Sequence, residues 1–303
     1  MDVYKKTIVV FGCTGTVGKP VLEGLLKADC YVRGVLRSPD RAYPVSPRDN
    51  CKLTYVSANL AVAEEIEAAC AHADVVFLLT ATHPDQVATE IRIIDASKKC
   101  GIQRIVKLSA PIVEPLAQVE VARWHRKIEE HLDESALEYC CLRPRAFMQN
   151  WERNTHTIRK FGTFYGVMED ARRNYIDARD VADVAVNVLL QEAPLPSSTI
   201  ALDGPEALSH YEMAQRLSKV TGRTITYKNI SRSDYFKMLT KRAKLPQWLA
   251  THIIELDELA LNIPEPQTHS LAPLLDRKPR IMDAYLQENK ALFARQALFK
   301  MWS

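Results

Sequence analysis

Near the amino terminus, the run Gly12-Cys13-Thr14-Gly15-Thr16-Val17-Gly18 holds three glycines at a spacing that lets a backbone grip an anion. Gly12 permits a tight turn, Gly15 lets the main chain come close to a pyrophosphate, and Gly18 allows a following helix to pack against the preceding strand. Unpaired N–H groups at that helix start would donate to the phosphates. Dinucleotide binding through Gly12, Thr14, Gly15, Thr16, Val17 and Gly18 is therefore the first chemistry the sequence predicts.

A second position concerns which dinucleotide. Folds of this kind that select NAD place an acid roughly 20 residues past the glycine turn, on the ribose 2′-hydroxyl. Here that place holds Arg37, followed by Ser38, with Arg41 close by. A guanidinium can pair with a 2′-phosphate in bidentate fashion, so NADP(H) is the expected cofactor. Lys107 is unusual in another way, because it interrupts the apolar run Ile105-Val106-Lys107-Leu108 and falls on the same strand face as Ser109. Two readings stand: a buried ammonium that reaches a carboxylate or polar group near the cofactor, or a lysine exposed at the strand end.

The elements that must position these residues follow from the spacing of apolar runs. Strands are expected over residues 7–11, 31–36, 53–57, 75–80, 104–108 and 139–143. Helices are expected between them, over 17–28, 63–71, 85–100 and 119–134, with Gly101 ending the third. This alternation predicts an α/β fold, a Rossmann-type doubly wound parallel sheet. Later segments read as a helix over 148–159, strands at 163–167 and 174–177, and a helix from Asp180 to about 191. A strand at 199–202, a helix opened by Ser209, a strand at 224–229 and further helices complete the chain. The last of these helices starts at Pro279. The predicted division is a nucleotide-binding domain over 1–150 and a smaller, mainly helical α/β substrate lobe over 151–303, interleaved with the sheet.

Three segments carry a resemblance: the glycine turn, the stretch 142–150 beginning Leu142-Arg143-Pro144, and the stretch Tyr175-Ile176-Asp177-Ala178-Arg179-Asp180-Val181-Ala182. Together with Asp203-Gly204-Pro205-Glu206 they make the chain resemble the NmrA-like branch of the atypical short-chain dehydrogenase/reductases. Within that branch the chain resembles fungal festuclavine and agroclavine dehydrogenases and quinone reductases. The resemblance implies that Thr80, Ala81, Thr82 and Ser109 contact the cofactor, that Asn59 and Leu60 flank the adenine, and that Pro144 sits at the nicotinamide. Phe147, Met148, Asn150, Trp151 and Tyr165 would line the substrate side. It also implies a departure, since Val121 and His125 stand where short-chain dehydrogenases carry the tyrosine and lysine of Tyr-x-x-x-Lys. His125 could donate or accept a proton, hold the nicotinamide ribose, or be structural.

Composition narrows the classes. At 303 residues, with 47% hydrophobic and 25% charged residues, the chain is an ordinary globular one. Its net charge of +3 is spread out, so no nucleic-acid partner is expected. No apolar stretch is long enough for a membrane span, and the amino terminus has no secretory pattern, which predicts a cytoplasmic protein. The seven cysteines do not fall at metal or redox spacings, so reduced thiols and no metal are expected. The predicted function is an NADPH-dependent reductase acting on a small hydrophobic electrophile (iminium, quinone or activated enone), in secondary metabolism. A non-catalytic NADP(H)-sensing regulator and an isomerase or cyclase are the alternatives. Nothing in the sequence sets the oligomeric state.

Overall fold

Short β-branched and aliphatic runs become strands, and amphipathic segments between them become helices. In a computed structural model, residues 5–38, 40, 42, 52–111, 119–195, 197–265 and 271–295 are described. The chain opens with β1 (Thr7–Val10), α1 (Gly18–Leu25), β2 (Tyr31–Leu36), β3 (Lys52–Ser57), α2 (Ala63–Cys70), β4 (Val75–Leu78) and α3 (Gln86–Lys99). It continues with β5 (Arg104–Leu108), α4 (Glu120–Glu134), β6 (Glu138–Pro144), β7 (Ala146–Phe147), a 3-10 segment (Met148–Asn154), α5 (Thr155–Phe161) and β8 (Thr163–Gly166). Next come β9 (Arg172–Ile176), α6 (Ala178–Leu190), β10 (Thr199–Leu202), β11 (Glu206–Ser209), α7 (His210–Thr221) and β12 (Thr226–Asn229). The helices α8 (Arg232–Lys237), α9 (Gln247–Asn262), α10 (Met282–Glu288) and α11 (Lys290–Phe293) follow.

The chain divides into two units, the first made of Met1–Pro144, Ala178–Leu202 and Pro273–Arg277, the second of Arg145–Asp177, Asp203–Ala272 and Lys278–Ser303. The first unit is a seven-stranded sheet in the order β10-β6-β5-β4-β1-β2-β3, with every neighbouring pair parallel. Every residue of β4 and β5 is buried, as a parallel strand covered on both faces requires. Strand order reverses beside β1, which pairs with β4 on one side and β2 on the other. In such sheets ligands bind outside the carboxyl ends of the strands at that reversal. α1 and α6 pack closely, and a methyl group at Gly24 would sit 2.7 Å from Val186 Cγ2.

Arg104, at the opposite end of β5, holds the end of α6. Its guanidinium donates to the carbonyls of Val188, Gln191 and Ala193 at 3.3, 2.6 and 3.0 Å, and it pairs with Glu138 at 2.7 Å. The last carbonyls of a helix lack partners within the helix, and a cation there satisfies them.

The second unit has a three-stranded sheet, β11-β9-β7, and a two-stranded one, β12-β8. One apolar core joins Met148, Trp151, Phe164, Tyr175, Met213 and Tyr285, and another joins Val167, Tyr235, Leu239 and Ile254. α7 starts with a capping box in which Ser209 Oγ accepts from Glu212 N and Glu212 accepts from Ser209 N.

Several expected boundaries move. The helix expected over 148–159 is a 3-10 turn followed by α5, with the change at Thr155. Pro279 lies ahead of α10, whose N-cap is Ile281, so it does not occupy the first helical position. Asp180 lies inside the first turn of α6 instead of capping it. The short strands β7 and β11 were not anticipated. The division falls at Pro144 rather than at 150, and α6 and β10 return to the first unit. The described cysteines, Cys13, Cys30, Cys70, Cys100, Cys140 and Cys141, are free thiols.

Candidate active site

At the carboxyl end of β1 the chain turns through Gly12, whose φ of 68° belongs to the left-handed region that glycine enters without strain. A side chain there would also strike the Leu79 carbonyl, since an added Cβ would lie 2.5 Å from its oxygen. Gly15 N donates to Gly12 O at 2.9 Å and closes the turn. At Gly18 an added Cβ would come within 2.0 Å of Gly12 O, so only glycine lets α1 start this close to the turn. Gly15 differs, because an added Cβ there would meet only Gly12 O, at 3.3 Å. The chain's own backbone is therefore tight at position 15 but less so than at Gly12 and Gly18.

Thr14, Gly15 and Thr16 are exposed, and Val17, the N-cap of α1, forms no side-chain cap. The amino end of α1 is thus not covered by its own side chains, and it is shaped to receive an anion. Cys13 faces inward, with its thiol on the Val35 carbonyl, and burial pushes that thiol up to about 11. It supplies packing.

At the end of β2, Arg37 is exposed. Ser38 is turned toward Asp40, to whose carboxylate it donates, so an acid missed by the sequence reading stands beside the expected 2′-phosphate position. Arg41 lies outside the described residues. Asn59 Oδ1 accepts from Ala61 N at 3.0 Å and Asn59 N donates to Glu65 at 2.7 Å, so this residue also shapes the entry to α2. The Leu60 carbonyl accepts from Arg92 at 2.7 Å.

The ends of β4, β5 and β6 carry two buried polar clusters. In one, Lys107 Nζ lies 2.7 Å from Glu90 Oε2, 3.0 Å from Leu108 O and 3.1 Å from His125 Nδ1. The Lys107 side chain is 0% exposed and that of Glu90 1%, which settles the two readings of Lys107 in favour of burial. Thr80 Oγ1 and Gln86 Nε2 donate to the other oxygen of Glu90 at 2.7 and 3.0 Å. In the second cluster Glu129 accepts from Ser109 Oγ at 2.5 Å and is clasped by Arg143 through Nε and Nη2. Pro144 is buried next to it in sequence, and Ala81 and Thr82 are exposed. Sequence reasoning passed over Glu90 and the role of Glu129. The signal for Glu90 was present: it shares a buried face of α3 with Gln86, Ile93, Ile94 and Ser97, where a carboxylate demands a partner.

In the second unit, Phe147 and Tyr165 are partly buried and Asn150 is exposed. Met148 and Trp151 do not face open space, being 0% and 3% exposed inside an apolar core. Trp151 packs edge-on to Phe164 with centroids 5.0 Å apart. A groove of about 760 Å³, lined by Tyr211, Ser218, Thr224 and Tyr227 among others, contains none of the expected residues. Among the described residues no cluster of His, Cys, Asp or Glu is arranged to hold a metal, and no helix is long and apolar enough to cross a membrane.

A glycine turn at the strand-order reversal of a seven-stranded parallel sheet defines a Rossmann-type α/β unit. Residues 4–285 match the NmrA-like family, and the chain belongs to that family. It is 30% identical over 274 residues to an NAD(P)H azoreductase of Xenophilus azovorans, covering 90% of this chain and 92% of that one. Agroclavine dehydrogenase of Claviceps fusiformis is 30% identical over 222 residues, 71% of this chain and 74% of its own. Among solved structures, an NADPH-dependent quinone oxidoreductase from Escherichia coli, complexed with NADPH, superposes with a TM-score of 0.81 at 21% identity. That match covers 94% of this chain and 99% of the other.

Proposed function

We propose that the chain is an NADPH-dependent reductase that delivers a hydride to a small hydrophobic electrophile: an iminium carbon, a quinone or an activated enone of the kind found in secondary metabolism. The observation that carries this reading is the turn at Gly15, open to the outside and closed on its inner side by Gly12 and Gly18. The names of the NAD(P)H azoreductase and agroclavine dehydrogenase relatives, both oxidoreductases, support the reaction class.

When bound, the cofactor supplies the hydride from its dihydronicotinamide. Gly12, Thr14, Gly15, Thr16, Val17 and Gly18 would hold the pyrophosphate, Arg37 and Ser38 the 2′-phosphate, and Asn59 and Leu60 the adenine. Thr80, Ala81, Thr82, Ser109 and Pro144 would hold the remainder. Phe147, Asn150 and Tyr165 keep a proposed substrate-contacting role. His125 and Lys107 form the candidate catalytic pair. Val121 leaves no phenol where a short-chain dehydrogenase has its acid, and the acceptors named need little help from an acid. Positioning is then the protein's main contribution.

The test is a calorimetric titration with NADPH, NADP+ and NADH, repeated with Arg37→Asp and Asp40→Asn. Arg37→Asp should weaken NADPH binding about tenfold or more, equivalent to ~1.4 kcal/mol, by removing a charge-assisted contact. Asp40→Asn should strengthen it slightly. Failure to bind any nicotinamide would overturn the proposal, and binding without turnover of any acceptor would turn it toward a sensor.

A further inference from the structure

Lys107 is ion-paired to Glu90 and hydrogen-bonded to His125, and the polarity of the second contact is fixed. An ammonium has three donors and no acceptor. Lys107 Nζ has three oxygen or nitrogen neighbours within 3.1 Å: Glu90 Oε2, Leu108 O and His125 Nδ1. Glu90 is held in turn by Thr80 and Gln86 on its other oxygen, so the carboxylate that faces Lys107 cannot swing away without losing two bonds. His125 Nδ1 therefore accepts. A neutral imidazole has one acceptor nitrogen and one N–H, which places the proton of His125 on Nε2. Protonating Nδ1 as well would set an N–H donor against an ammonium 3.1 Å away with no acceptor between them.

We propose that Lys107, itself oriented by Glu90, locks His125 as the neutral Nε2–H tautomer, so that His125 acts as a hydrogen-bond donor of fixed direction and not as an imidazolium acid. Glu90 is then a positioning residue, acting through Lys107. The groups that define the lock come from four elements: Thr80 after β4, Gln86 and Glu90 on α3, Lys107 on β5, and His125 on α4. On α4 the next acid along the helix, Glu129, is engaged by Ser109 and Arg143. The catalytic meaning of the lock rests on the reductase reading, but the tautomer itself does not.

The tautomer is measured on the full chain labelled with 15N-histidine, without cofactor or substrate, and His125 is assigned by the signal lost in His125→Gln. The wild type should show Nδ1 at the unprotonated position and Nε2 at the protonated one at neutral pH. Lys107→Met should move both resonances toward the averaged values of exchanging tautomers. Glu90→Leu with Lys107→Met removes both charges of the pair, and should do the same in a protein that keeps its fold. A protonated Nδ1 in the wild type, or signals unmoved in a folded Lys107 variant, would overturn the lock. If turnover is found, the folded variant should lose kcat by up to about a hundredfold through misplacement of the donor, with KM for NADPH unchanged. It should also gain an inflection near neutral pH that the wild type lacks. Absence of any turnover would count against the reductase reading and leave the tautomer result standing.

Discussion

The two units bury polar groups in different surroundings. In the first, Glu90, Lys107 and His125 share one cluster and Ser109, Glu129 and Arg143 another, so charge is kept inside and paired. In the second, Arg173 pairs with Asp257 at 3.0 Å, yet Asp257 Oδ2, His210 Nδ1 and His252 Nδ1 are buried without hydrogen-bond partners among the described residues. Burial pushes both histidines down to about 4, so each stays neutral. His210 is enclosed by Trp151, Phe164 and Tyr227 at centroid distances of 5.4, 5.6 and 4.8 Å, with Gly166 leaving room for its Nδ1 edge. Paired charge can hold a hydrogen in a chosen place, whereas a neutral ring in an aromatic box fills volume. Both interiors hold a buried charge pair, and the difference lies in what surrounds the histidine: an ammonium beside His125, aromatic rings around His210.

The largest effect should come from breaking the paired interior. Lys107→Met strands Glu90 in a dry site and should cost about 3–5 kcal/mol in urea denaturation. Most of that should return when Glu90→Leu is added. If the single change were nearly neutral, the first unit would not depend on paired charge.

Acid should act on the second unit. For a histidine whose folded value is below the usual 6.5, the unfolded chain binds the extra proton, so stability is complete above about 6.5 and falls as pH drops toward about 4. The loss should be roughly 3 kcal/mol for buried His210 and less for half-buried His252. Hydrogen exchange at pH 7 and pH 4.5 would show it in α7 and β12 first, and His210→Phe should reduce it.

The smallest effect concerns helix starts. Ser209 caps α7, whereas Val17 leaves α1 uncapped. Ser209→Ala should lower stability by about 1 kcal/mol, measured by thermal unfolding, without changing nucleotide affinity. A change in affinity would mean that α7 is coupled to the nucleotide site.

The central strands of the first unit were legible because buried parallel strands read as unbroken apolar runs, and Val75–Leu78 is the plainest example. The glycine turn was legible because Gly12 and Gly18 answer to the chain's own backbone. Lys107 stood out as a charge in such a run, but its partner did not, since Glu90 lies seventeen residues earlier on a helix and only the packing of α3 beside β5 brings them together. The burial of Met148 and Trp151 was not legible, because an aromatic cluster has the same composition whether it lines a pocket or fills a core. β7 and β11 exist through pairing with β9, a non-local condition that no local pattern announces.

Arg104 has a consequence for the order in which the protein can be made. The carbonyls it holds lie 84 to 89 residues further along the chain, and β10, which borders β6, comes later still. A nascent chain that ends at Pro144 has six of the seven sheet strands but a buried guanidinium with no helix end to grip and an unpaired strand at its border. The first unit therefore matures only after the segment Arg145–Asp177 has been synthesised, and a fragment cut at Pro144 should remain dependent on chaperones rather than fold as a domain.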